Sequence, residues 1–94
     1  EDKASINLIA FSINNLKNNN SKLANLNLEL INFELIVSSY YDYIKLLSCI
    51  PYYHIAIMDN NNENALKILQ EYCELKNKLN FKYFSGKFLK TYFD

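Results

Sequence analysis

The sequence predicts an all-α domain, a bundle of four to five antiparallel helices around one long central helix over about residues 22–48. Three observations carry that expectation. One Gly and one Pro occur in 94 residues, too few for an all-β chain, which needs a turn about every 8 to 12 residues and recruits Gly and Pro to make it. Apolar residues recur at steps of three and four through most of the chain, the spacing of one helical face. Two Asn-rich stretches, Asn18-Asn19-Asn20 and Asp59-Asn60-Asn61-Asn62, interrupt that spacing where turns are needed, because Asn competes for backbone hydrogen bonds and tolerates turn geometry.

Ile6, Ile9, Ile13 and Leu16 give the first helix, over residues 4–17. Ser21 is the expected N-cap of the second. From there Leu23, Leu26, Leu30, Phe33, Val37, Tyr40, Ile44 and Leu47 step by three and four without a miss, the strongest periodic signal in the chain. Leu28, Ile31 and Leu35 form a second stripe that widens the apolar face and favours a bundle over a two-stranded coil. A helix from Lys22 to Ser48 is roughly 40 Å long, against about 32 Å for a sphere of this chain length. The conflict has three solutions: an elongated bundle, a bend at Ser38-Ser39, or a seam shared with a second chain.

Pro51 disfavours helical geometry at Ile50 and suits a first helical turn, so the chain is expected to turn or kink near Cys49–Pro51, with a short piece running on to Met58. Asn60 and Glu63 then have capping-box spacing, and Ala65, Ile68, Tyr72, Leu75 and Leu79 carry a helix to about Leu79. The C-terminal segment is expected to be helical. Phe81, Phe84, Phe88 and Tyr92 fall on one side and Lys82, Lys87 and Lys90 on the other; a β-hairpin around Ser85-Gly86 is the alternative. No internal repeat is visible beyond the two Asn-rich breaks.

The chain reads as a single helical domain, residues 1–94. Its start at Glu1 without Met suggests a domain excised from a longer protein or a processed chain. Half of the residues are hydrophobic and the formal net charge is zero, which argues against disorder and against overall basicity of the nucleic-acid-binding kind. All ten basic residues are Lys, so the guanidinium fork that recognises carboxylate or phosphate is missing. Abundant Lys, Asn, Ile, Tyr and Phe match the codon usage of an AT-rich genome. No apolar run approaches the roughly 20 residues of a membrane span, and the compartment is left open.

His54 is the only histidine, and Cys49 and Cys73 are the only cysteines. They have neither zinc-ligand spacing nor an oxyanion-forming loop beside them, so no catalytic residue, metal ligand or cofactor is assigned and the cysteines read as buried thiols rather than a disulfide. A small-molecule substrate is not expected. Tyr40, Tyr41, Tyr43, Tyr52 and Tyr53 concentrate aromatic surface with polar tips, the composition of a partner interface. Residues 1–74 hold five Lys and nine acids, whereas residues 75–93 hold five Lys and no acid.

Ala65-Leu66-Lys67-Ile68-Leu69 followed by Tyr72 resembles the second helix of a tetratricopeptide hairpin, over roughly residues 50–92. Pro51 and Tyr53 depart from that pattern, and neither this family nor the ankyrin repeat suggested by His54-Ile55-Ala56 is assigned. The functional expectation is a non-enzymatic protein-interaction or assembly module. Its partner is another protein or a second copy of the chain, the latter docking through the Leu23 to Leu47 seam. The alternative is an anionic-surface binder, on membrane or nucleic acid, through Lys82, Lys87 and Lys90.

Overall fold

A computed structural model describes residues 2–36 and 38–79. These form four α-helices packed against one another, α1 (Asp2–Lys17), α2 (Ser21–Glu29), α3 (Ser38–Met58) and α4 (Asn62–Leu79), with a 3₁₀ turn at Phe33–Leu35 and no strand among the described residues. The all-α bundle predicted from the spacing is the fold observed. The expected C-terminal helix, its hairpin alternative and Lys82, Lys87 and Lys90 lie outside the described residues.

The single long helix over 22–48 is not formed. Its place is taken by α2, the 3₁₀ turn and α3, and the break falls before Ser38 rather than at Ser38-Ser39. Asn32 explains it: its side chain accepts a hydrogen bond from the Glu34 amide at 3.1 Å, a local turn that competes with helix continuation. Phe33 then anchors the turn on α3, edge-on to Tyr41 at 5.6 Å and beneath the Lys45 ammonium at 5.2 Å. The break also removes the conflict of length, since the molecule extends 32 × 25 × 24 Å.

The interruption resets the helical phase. In α2 the buried residues are Ala24 and Leu28, continued by Ile31, while Leu23, Leu26 and Leu30 are exposed. Of the stripe that read as secondary, Leu28 and Ile31 therefore face the core, whereas Leu35, in the 3₁₀ turn, is exposed. Ile9, Ile13, Leu16, Ala24, Leu28, Ile31, Ile36, Ile44, Leu47 and Ile55 form that core. Each such Leu or Ile removed from water contributes about 1.5–3 kcal/mol.

A second expectation also fails. Pro51 lies inside α3 rather than at a turn. Proline lacks the amide that would bond the carbonyl four residues back, a cost of about 3 kcal/mol in a helix interior. Here its ring is fully buried among neighbours that are themselves buried, Ser48 to Ile50 and Ile55 to Ala56. Tertiary packing overrides the local preference.

The two Asn-rich links fold alike. Asn19 and Asn60 both adopt φ 58, the left-handed region that Asn enters more readily than other residues with a side chain. At the first link the amides of Asn19 and Asn20 bond the carbonyls of Leu16 and Asn15; at the second, those of Asn60 and Asn61 bond Ile57 and Ala56. This is the Schellman pattern of helix termination. The following Asn then starts the next helix, Asn20 Oδ1 accepting from the Leu23 amide at 3.1 Å and Asn61 Oδ1 from the Asn64 amide at 3.2 Å.

Ser21 Oγ donates to Asp59 Oδ1 at 3.5 Å, which places both turns at one end of the molecule. α3 packs against α1, α2 and α4, whereas α4 packs chiefly on α3. Cys49 meets Glu71 and, seven residues back along α3, Asp42 meets Lys78 seven residues on along α4. The α3–α4 pair is thus antiparallel.

Candidate functional site

The five tyrosines named as a partner surface are distributed around α3. Tyr40 and Tyr41 are exposed, with Tyr41 edge-on to Phe33. Tyr43 and Tyr52 pack against the core, and burial raises the pKa of both hydroxyls above the usual 10.0, with the Glu29 carboxylate adding to the effect at Tyr52. Tyr53 lines a groove between α3 and α4. Two of the five therefore serve packing first.

That groove has a volume of about 160 Å³ and an almost wholly apolar wall. α3 contributes Cys49, Ile50, Tyr53 and His54, and α4 contributes Ile68, Leu69 and Tyr72. The wall is helical on both sides because the helices are antiparallel and their apolar steps of three and four face each other. Cys49 Sγ donates to Glu71 Oε1 at 3.5 Å. Burial, then the adjacent Glu71 carboxylate, push the thiol up from 9.0 to about 12, against a smaller opposing effect of Lys45. A thiol held protonated in this way is inert at neutral pH.

His54 stands edge-on to Tyr53 at 5.7 Å, and burial lowers its pKa below 6.5, which favours the neutral ring. Both cysteines are free thiols, Cys49 buried as expected and Cys73, against expectation, exposed on the outer side of α4. Among the described residues no group of three or more His, Cys, Asp or Glu is arranged to hold a metal ion. No helix among them is long and apolar enough to cross a membrane.

The α2 part of the seam that sequence reasoning turned inward is left outside, while Ile44 and Leu47 of the same seam are buried. Leu23, Leu26 and Leu30 stand 42%, 49% and 69% exposed, a continuous apolar strip along the outer side of α2. Beside it lies a cleft bordered by Leu26 and Asn25 of α2, Tyr52 and Ile55 of α3, and Asn64 of α4. Lys22 and Glu29, both exposed, sit seven residues apart on one flank of the strip, two helical turns. The signal for this surface was present as the Leu23/Leu26/Leu30 spacing, but spacing does not say which of two stripes faces inward. Compared with protein-family models, with curated proteins and with solved structures, the chain matches none.

Proposed function

We propose that the protein is a non-enzymatic helical assembly module whose docking surface is the Leu23, Leu26 and Leu30 strip of α2, and that its occupant is a second copy of the chain. The observation that carries this reading is the exposure of three leucines at helical spacing beside a separate, fully used core stripe. An apolar strip of this kind is a contact surface in the making. Its flanking charges suit self-pairing. About a two-fold axis through Leu26, two α2 helices run antiparallel, Leu23 meets Leu30 of the other copy, and Lys22 meets Glu29 at both ends. Charge is thereby neutralised on one rim and apolar area is removed from water in the middle.

The test is the solution mass by light scattering at micromolar concentration, for the full chain and for Leu26→Asp. A dimer that becomes a monomer in the variant, with helix content unchanged, supports the reading. A monomeric wild-type chain, or a dimer indifferent to Leu26→Asp, overturns it.

A further inference from the structure

The two helical hairpins are counterparts, yet one of them has a filled groove and the other an open one. Shifting the numbering by 41 carries Asn19 onto Asn60 and Asn20 onto Asn61, the residues with the same φ, the same terminating bonds and the same capping role. The same shift carries Ala24 onto Ala65, both buried in the first turn of the second helix of the pair. It also carries Ile9, Ser12, Ile13, Leu28 and Ile31 onto Ile50, Tyr53, His54, Leu69 and Tyr72.

The first five are all buried, at most 8% exposed, in the core on which α3 packs. The second five line the α3–α4 groove, where Leu69 is 42% exposed and Tyr53, His54 and Tyr72 are half-buried. In the first hairpin the next stretch of chain, α3, covers the equivalent surface.

We propose that the next stretch after α4 does the same in the second hairpin, the aromatic stripe Phe81, Phe84, Phe88 and Tyr92 docking into the α3–α4 groove. Four further facts fit this occupant. Asn80 follows Leu79 directly, and Asn is the residue type that ends α1 and α3 in the left-handed conformation.

Reach is sufficient, because Leu79 lies about 16 Å along α4 from Ile68, and the 13 residues 81–93, if helical, span about 20 Å on a path back across the groove. Size and charge also agree. A cavity of about 150 Å³ holds one benzene ring, close to the groove's 160 Å³. The segment's lysines, set opposite the stripe by the spacing, belong to residues 75–93 of net charge +5, against a net charge of −4 for residues 1–74. Asp42 and Lys78 already pair across the α3–α4 interface at 2.8 Å.

The test uses the full chain with Cys49→Ala and Cys73→Ser, so that no native thiol remains, and with Leu69→Cys as the accessible thiol in the groove. It is run in the Leu26→Asp background, so that failure of the α2 dimer cannot be confused with failure of this docking. Single cysteines are introduced on the stripe (Phe84→Cys or Phe88→Cys) and on the lysine side (Lys87→Cys or Lys90→Cys), and disulfide formation with the thiol at position 69 is followed under mild oxidation. Docking predicts an intrachain bond from a stripe position forming about ten-fold faster than from either lysine position, because docking raises the local concentration of one side only.

Equal rates from the two sides overturn the proposal. So do bonds formed only between chains, which would assign the groove to a second copy. As an independent measurement, Phe84→Ser/Phe88→Ser in the otherwise native chain should raise binding of an apolar dye several-fold while helix content is retained. Unchanged dye binding overturns the proposal as well.

Discussion

The Cys49 thiol donates a hydrogen bond to the Glu71 carboxylate at 3.5 Å, across the interface of α3 and α4. The bond sets the response of this interface to alkali. In the unfolded chain the thiol loses its proton near 9.0, whereas in the fold burial and Glu71 hold it to about 12. A raised native pKa contributes stability that is complete below 9 and disappears as pH rises towards 12. Chemical unfolding should therefore show stability falling by at most about 1 kcal/mol between pH 9 and 10. Cys49→Ala should flatten that interval. Above pH 10 the raised hydroxyls of Tyr43 and Tyr52 steepen the loss in both proteins.

His54 gives the opposite slope on the acid side. Its native pKa lies below 6.5 because the ring is partly buried, so the unfolded chain takes up the proton first and stability declines as pH falls from 6.5. Thermal midpoints compared at pH 7 and 5.5 should drop for the native chain and drop less for His54→Gln. An equal drop in both would assign the acid sensitivity to other groups.

Two leucines of α2, two residues apart, should behave differently. Leu28 is 1% exposed and Leu26 49%. Leu28→Ala leaves a cavity between α1, α2 and α3 and should cost about 2–5 kcal/mol. Leu26→Ala should cost less than about 1 kcal/mol in the monomer. Urea midpoints of the two variants, measured at low protein concentration, decide this.

The turns can be tested through their backbone. Asn19→Ala and Asn60→Ala force a Cβ-bearing residue without a helpful side chain into φ 58 and should each cost about 1 kcal/mol. Gly at either position should be neutral or stabilising, since it enters that region freely. Asn61→Ala removes the cap on the Asn64 amide and should cost about 1 kcal/mol. Matching values for Asn19 and Asn60 variants would support the equivalence of the two hairpins energetically; clearly unequal values would contradict it.

The fold class was legible because it rests on quantities that sequence displays directly. The scarcity of Gly and Pro and the steps of Ile6, Ile9, Ile13 and Leu16 need no knowledge of what packs where, and the Asn-rich links announced both hairpin turns. What sequence hid was phase. Leu23 to Leu47 reads as one unbroken seam, yet a single Asn32 turn splits it, and then Leu28 and Ile31 face inward while Leu26 and Leu30 do not.

Pro51 misled for a related reason. Its local preference is strong, but a buried position on the central helix outweighs it. The tyrosine cluster was visible as composition, while its division between core, groove and surface depends on α1, α2 and α4 together. The equivalence of the hairpins was hidden as well, since apart from Ile9/Ile50, the two Asn, Ala24/Ala65 and Leu28/Leu69 few side chains repeat.

One consequence follows from α4 resting chiefly on a single neighbour. Every other described helix is braced from at least two sides, so thermal agitation has one layer it can lift at small cost. Where Phe84→Ser/Phe88→Ser keeps the aromatic stripe from the groove, amide protons in α4 should then exchange through openings that leave α1 to α3 shut, at a free energy well below that of global unfolding. Heating followed by helix signal alone would spread over a wide range of temperature, because the outer layer peels away before the rest gives up its structure.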